Sequence, residues 1–225
     1  MKTTIKTIAI VAIAALSVSA CKKDKKTEEP IVDQPIAPTD PPEVITTVRL
    51  AIKDSVTGIL KTYAYKDPDG DGGAPGAFLN ESGTHDTIVI AANSTYFTTI
   101  YILDESKTPT DSTSLVIGGE ESKEHMLFFN GNPAATGNNA NTIINSQVPY
   151  TVKTNGSNIE IKYLDIDNGS PQRSVGLKTR WRANASTAGN AYPLTVVLRH
   201  QPEAKNGTYA PGETDVEITF KVMVN

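Results

Sequence analysis

Apolar and polar side chains alternate along this chain, and that period limits the fold more than any other feature. In Val216-Glu217-Ile218-Thr219-Phe220-Lys221-Val222-Met223-Val224 one face is wholly apolar and most of the other is polar. A period of two fits a half-buried antiparallel strand and not the stripe of an amphipathic helix. Val48, Leu50 and Ile52 alternate with Arg49, Ala51 and Lys53, and Leu194, Val196 and Leu198 with Thr195, Val197 and Arg199. Ile159, Ile161 and Tyr163 oppose Glu160 and Lys162. Further strands are expected over 59–66, 86–92, 95–103, 124–129 and 175–181. Between them lie the turn-rich stretches DPDGDGGAPG, NESG, NGNPAATGNNAN and KNGTYAPG, whose Gly, Pro, Asn and Asp supply turn geometry. No segment after residue 21 carries a sustained helical stripe. Residues 44–225 therefore predict one all-β domain, an antiparallel β-sandwich of immunoglobulin-like type with eight to ten strands.

The N-terminus reads differently. Lys2 and Lys6 precede the apolar run Ile8 to Leu16, and Val18-Ser19-Ala20-Cys21 follows. A basic head, a short apolar core and small residues before the cut describe a secretory signal peptide over residues 1–20. The run is too short to span a bilayer as a helix. Cysteine directly after the small residues resembles the lipobox of bacterial lipoproteins. That resemblance implies a diacylglyceryl thioether on Cys21, cleavage before it and acylation of its new amino group. Several acyl chains on one residue exceed what stable membrane anchoring needs. Residues 21–43, CKKDKKTEEPIVDQPIAPTDPPE, carry prolines at 30, 35, 38, 41 and 42 and no apolar period. They predict a disordered, Pro-rich tether with an extended reach of about 60 to 70 Å at ~3.1 Å per residue. Lys22 occupies the position where Asp retains enterobacterial lipoproteins in the inner membrane, which favours the outer membrane.

Cys21 is the only cysteine, so lipidation removes disulfides, thiolate metal sites and a cysteine nucleophile together. Loss of residues 1–20 takes Lys2 and Lys6 but no acid. Nineteen basic residues then face 25 acidic ones, and the formal charge moves from −4 to −6. Such a balance excludes the basic footprint of a nucleic-acid-binding protein and suits a cation or a neutral sugar.

Two acidic stretches point to calcium. Asp67-Pro68-Asp69-Gly70-Asp71-Gly72-Gly73 places carboxylates at alternate positions before a glycine turn, so three oxygens could converge on one hard cation. It looks like the opening of an EF-hand or dockerin loop. The position of that family's bidentate Glu is Phe78 here, and no helices flank it, so a complete EF-hand is out. Asp165 and Asp167 form a shorter version, pointing the same way if the strand from Ile159 runs through them. A different site would use Glu124, His125 and His200, because imidazole with carboxylate suits a transition metal at the sandwich rim. His85, beside a turn, reads as solvated.

Trp181 is the only tryptophan, and its strand parity assigns it to the core rather than to a sugar-stacking platform. The chain has no Gly-x-Ser-x-Gly elbow, His-Glu-x-x-His or phosphate-cradling glycine loop. Acids clustered in glycine-rich turns seldom act as catalysts, so no enzyme activity is expected. Asp54-Ser55-Val56, Asp86-Thr87-Ile88 and Asp111-Ser112-Thr113 look like the Asp-Ser/Thr-apolar acceptor for O-glycosylation in Bacteroidota.

Read in order, ITTV near 45, YKDPDGDGG at 65, ESKEHMLFFN at 121, GLKTRW at 176, LRHQP at 198 and GETDVEITF at 212 resemble a family of uncharacterised Bacteroidota lipoproteins. The resemblance implies an outer-membrane or cell-surface lipoprotein of the kind that accompanies TonB-dependent receptors. The function expected is a non-catalytic, lipid-anchored ligand- or partner-binding module, stabilised by calcium at Asp67, Asp69 and Asp71. A purely structural surface protein and a transition-metal capture accessory are the alternatives.

Overall fold

The computed structural model describes residues 43–70, 74–80, 83, 86–130, 142–145, 151–153, 158–209 and 211–225. Residues 1–42, with Cys21, and Asp71, Gly72, Gly73 and His85 lie outside the described residues. Strands β1 (Thr47–Asp54), β2 (Leu60–Lys66), β3 (Ala77–Asn80), β4 (Thr87–Ile90) and β5 (Ser94–Leu103) come first. A short helix α1 (Thr113–Ile117) follows, then β6 (His125–Asn130), β7 (Thr142–Asn145), β8 (Thr151–Lys153) and β9 (Ile159–Tyr163). The chain ends with β10 (Lys178–Ala183), β11 (Ala191–His200) and β12 (Glu213–Val224).

These strands make an all-β sandwich. An eight-stranded sheet runs β3-β2-β1-β5-β10-β9-β8-β7, and a four-stranded sheet runs β4-β12-β11-β6. Every strand expected from alternation is present, and the structure adds the short strands β3, β7 and β8. One pairing departs from the antiparallel expectation: β4 lies parallel to β12. The strand expected over 175–181 begins three residues later. Val175 O accepts from Leu127 N (2.7 Å) in one sheet while Leu177 O accepts from Ile100 N (2.8 Å) in the other. Gly176 makes that crossing with φ +101°, and a Cβ there would stand 2.9 Å from Leu127 and Tyr163. Only glycine fits a left-handed step so tightly enclosed.

The core lies between the sheets. Val48, Leu50, Ile52, Ile100, Ile161 and Trp181 from the larger sheet meet Ile88, Leu127, Leu194, Val196, Phe220 and Val222 from the smaller. Each such side chain contributes roughly 1.5–3 kcal/mol when fully buried. Trp181 is fully buried, and its indole N–H donates to Thr179 Oγ1 at 2.9 Å. It belongs to the core, and no sugar can stack on it. β11 is buried on both faces, Thr195 and Val197 included. Beyond β11, Tyr209 packs edge-on against Phe128 of β6 at 5.3 Å. No described helix is long and apolar enough to cross a membrane.

Candidate metal centre

Strand register brings two histidines together at one end of the smaller sheet. His125 opens β6 and pairs with His200, which closes β11. His200 pairs in turn with Glu213 at the start of β12. The two imidazoles stack with centroids 4.5 Å apart and planes 7° from parallel. The turn before β6 is closed by His125 N donating to Glu121 O. That turn sets Glu121 one helical step before His125, where its carboxylate reaches the ring.

Three carboxylates surround the His125 imidazole. Its Nε2 lies 3.4 Å from Glu43 Oε2 and 3.5 Å from Asp215 Oδ2. Its Nδ1 lies 3.5 Å from Glu121 Oε2. Glu43 arrives from the segment preceding β1, and Asp215 from β12. His125 is wholly buried. Neither of its nitrogens, nor Asp215 Oδ2, makes a hydrogen bond among the described residues. The contacts are loose ion pairs, longer than the ~2.7–2.9 Å of a charge-assisted hydrogen bond.

Burial alone would lower the His125 pKa. Asp215 and Glu43 overcome that and push it up to about 10. Burial likewise works against the charge on Glu43, and His125 outweighs it, holding this carboxyl below its usual range. The cage therefore sets three formal negative charges against one imidazolium. One ligand atom from each of Glu43, Glu121 and His125 lies within 4.8 Å of the others.

His200 stands at the mouth. Its Nε2 is 3.5 Å from Glu124 Oε2, and its side chain is 18% exposed. The sequence pattern thus names His125, His200 and Glu124 as neighbours, and the structure places all three at one rim. It shifts the weight from Glu124 to Glu43, Glu121 and Asp215, which crowd the buried ring. Asp215 is invisible in a linear reading because only cross-strand register joins residue 215 to residue 125. Glu43 ends a Pro-rich stretch that composition assigns to the tether.

The acidic loops have other neighbours. Asp165 Oδ1 accepts from Gly176 N (2.8 Å) and Oδ2 from Lys178 N (3.0 Å). Burial raises its pKa, and those amides only partly offset the rise. Asp167 Oδ1 accepts from Gly169 N and Arg173 N, and Oδ2 pairs with Lys205 Nζ at 2.9 Å. β9 ends at Tyr163, so the strand does not continue through Asp165 and Asp167 as expected. Asp69 Oδ2 accepts from Ala74 N at 3.0 Å in an exposed turn. Asp67 Oδ2 lies 3.5 Å from the Tyr65 hydroxyl, and Asp71 lies outside the described residues. Asp67 follows β2 and Asp165 follows β9, four strand spacings apart in one sheet. That is roughly 19 Å at ~4.8 Å per strand, too far for one ion. Asp67 instead shares a cavity of ≈ 280 Å³ with Asp215, Thr47, Tyr65 and Glu217. Asp67 and Gly70 of the DPDG turn thus line a cavity that Asp215 of the histidine centre also lines.

Neither a protein-family model, a curated protein nor a solved structure matches this chain.

Proposed function

We propose that this chain is a lipid-anchored envelope protein whose sandwich captures a divalent first-row transition ion. The observation that carries this reading is His125, a wholly buried imidazole whose two nitrogens face carboxylates without a hydrogen bond. Glu43, Glu121 and His125, whose ligand atoms lie within 4.8 Å of one another, would hold the ion, with Asp215 against the ring. Mixed imidazole and carboxylate donors suit zinc, iron or manganese better than calcium, which takes oxygen alone. Three protein ligands leave a position open for exchange, as capture requires.

Calcium at Asp67, Asp69 and Asp71 is the second reading, supported by their alternate carboxylates in the sequence and by Asp67 lining the cavity it shares with Asp215. Thermal unfolding of the protein lacking residues 1–21, in chelator and then with zinc, manganese or calcium, separates the two. A transition ion at a hundredfold excess over its dissociation constant adds about 2.7 kcal/mol, and His125→Ala abolishes the gain. A calcium-specific gain lost in Asp69→Ala would replace this reading with the second. No gain with any ion leaves the cage an internal ion-pair cluster and a purely structural surface protein. The anchor has its own test: Cys21→Ala should release the protein from membranes, and continued membrane fractionation would count against it.

A further inference from the structure

We propose that Lys205 and Asp167 condense without an enzyme into an intramolecular isopeptide bond that staples the two sheets together. Asp167 lies in the loop that follows β9 in the larger sheet. Lys205 lies in the loop that follows β11 in the smaller one. Their side chains are 3% and 2% exposed, and Lys205 Nζ stands 2.9 Å from Asp167 Oδ2. Nζ also donates to Ser122 O at 2.7 Å, which holds the amine in place. Asp167 Oδ1 accepts from two backbone amides, Gly169 N at 3.0 Å and Arg173 N at 2.9 Å.

This arrangement has the parts of an acyl transfer. Burial lowers the Lys205 pKa, against the opposing pull of Asp167. One ammonium proton passes to Oδ2 along the existing contact, leaving an amine and a carboxylic acid. Nζ then attacks Asp167 Cγ, and the negative charge that develops on Oδ1 falls between the Gly169 and Arg173 amides. Donors aimed at a developing oxyanion are a large source of rate enhancement in such reactions. A second proton moves from Nζ to the Oδ2 hydroxyl, the Cγ–Oδ2 bond breaks, and water leaves. One C–N bond forms, one C–O bond breaks, and nothing is oxidised or reduced. A cavity of ≈ 310 Å³ lined by Lys123, Glu124, Ser170 and Glu203 beside the pair gives the water a way out. The two ends are held at contact distance, so the reaction is unimolecular.

The cross-link supplies what this chain cannot obtain from cysteine. Cys21 is the only thiol in the sequence, and a covalent tie between sheets restricts the unfolded chain as a disulfide would.

Mass spectrometry under denaturing conditions, followed by tryptic mapping, decides the matter. In the protein lacking residues 1–21, the expected product is one water lighter than its sequence, uncleaved after Lys205, with a branched peptide joining the Asp167 and Lys205 segments. Lys205→Arg restores the full mass and the two linear peptides. The wild-type measurement stands whether or not any variant folds. A wild-type chain of full mass, cleaved normally after Lys205, would overturn the proposal and leave an ordinary buried ion pair.

Discussion

Two buried charge clusters sit in this sandwich, and they are built in opposite ways. Around Asp167 every carboxylate oxygen is engaged: two amides on Oδ1 and an ammonium on Oδ2, all within 3.0 Å. Around His125 the contacts are 3.4–3.5 Å long and three acids crowd one ring. The first cluster is closed on itself, so nothing is gained by adding a ligand. The second sets three acids at longer range around one ring, a charge imbalance that a divalent ion would offset. Satisfaction, rather than acidity, separates a structural carboxylate from a candidate ligand.

Removing a partner tests this contrast most strongly. Asp167→Ala forbids the proposed cross-link, leaves the Lys205 ammonium buried with only the Ser122 carbonyl and strands the Gly169 and Arg173 amides. Breaking one side of a buried pair typically costs 3–5 kcal/mol, so the urea midpoint should fall by a corresponding amount. Asp215→Asn in chelator should cost well under half as much, because Glu43 and Glu121 still balance His125. Equal losses at the two sites would erase the distinction. The metal-dependent gain behaves conversely. Zinc stabilisation of about 2.7 kcal/mol at a hundredfold excess should vanish in Asp215→Asn and in Glu43→Gln, which isothermal titration would register as lost binding.

Protons sharpen the comparison further. The folded pKa of His125, about 10, lies above the 6.5 of an ordinary imidazole. Its contribution to metal-free stability is therefore complete below pH 6.5 and is lost as pH rises through 10. The slope between those limits is at most about 1.4 kcal/mol per pH unit. Denaturant unfolding in chelator, repeated from pH 6 to 10, measures it. A metal ion must displace the same proton, so apparent affinity should climb about tenfold per unit over that range. A flat profile would mean that His125 is already neutral.

How far the sequence foretells these sites depends on the distance over which each is encoded. Alternation in 216–224 places Phe220 and Val222 in the core because the period is local. The late start of β10 follows from Gly176, whose positive φ carries the chain from one sheet to the other and is not marked by any local pattern. His125, His200 and Glu124 were readable as a rim cluster through strand parity. Glu43 and Asp215 were not, since they meet His125 only after β1 and β12 have paired. The regular spacing of Asp165 and Asp167 suggested a shared ligand, whereas the end of β9 at Tyr163 turns each toward a different internal donor.

The smallest expected effect concerns the sequence's most conspicuous motif. Asp69 is exposed and accepts from the Ala74 amide in the same turn. That amide holds its carboxyl below the usual range, with Asp67 adding to the effect. Solvent can replace such a bond, so Asp69→Ala should leave the thermal midpoint and the zinc-dependent gain as they are in the unaltered protein. Asp67 differs, because it lines the cavity that Asp215 also lines. Asp67→Asn should therefore slow zinc uptake, read by stopped-flow, while equilibrium stabilisation stays nearly unchanged. If Asp69→Ala instead removed stabilisation by an added ion, an exposed turn would be doing what the buried imidazole is assigned to do, and the contrast between satisfied and unsatisfied carboxylates would lose its predictive value.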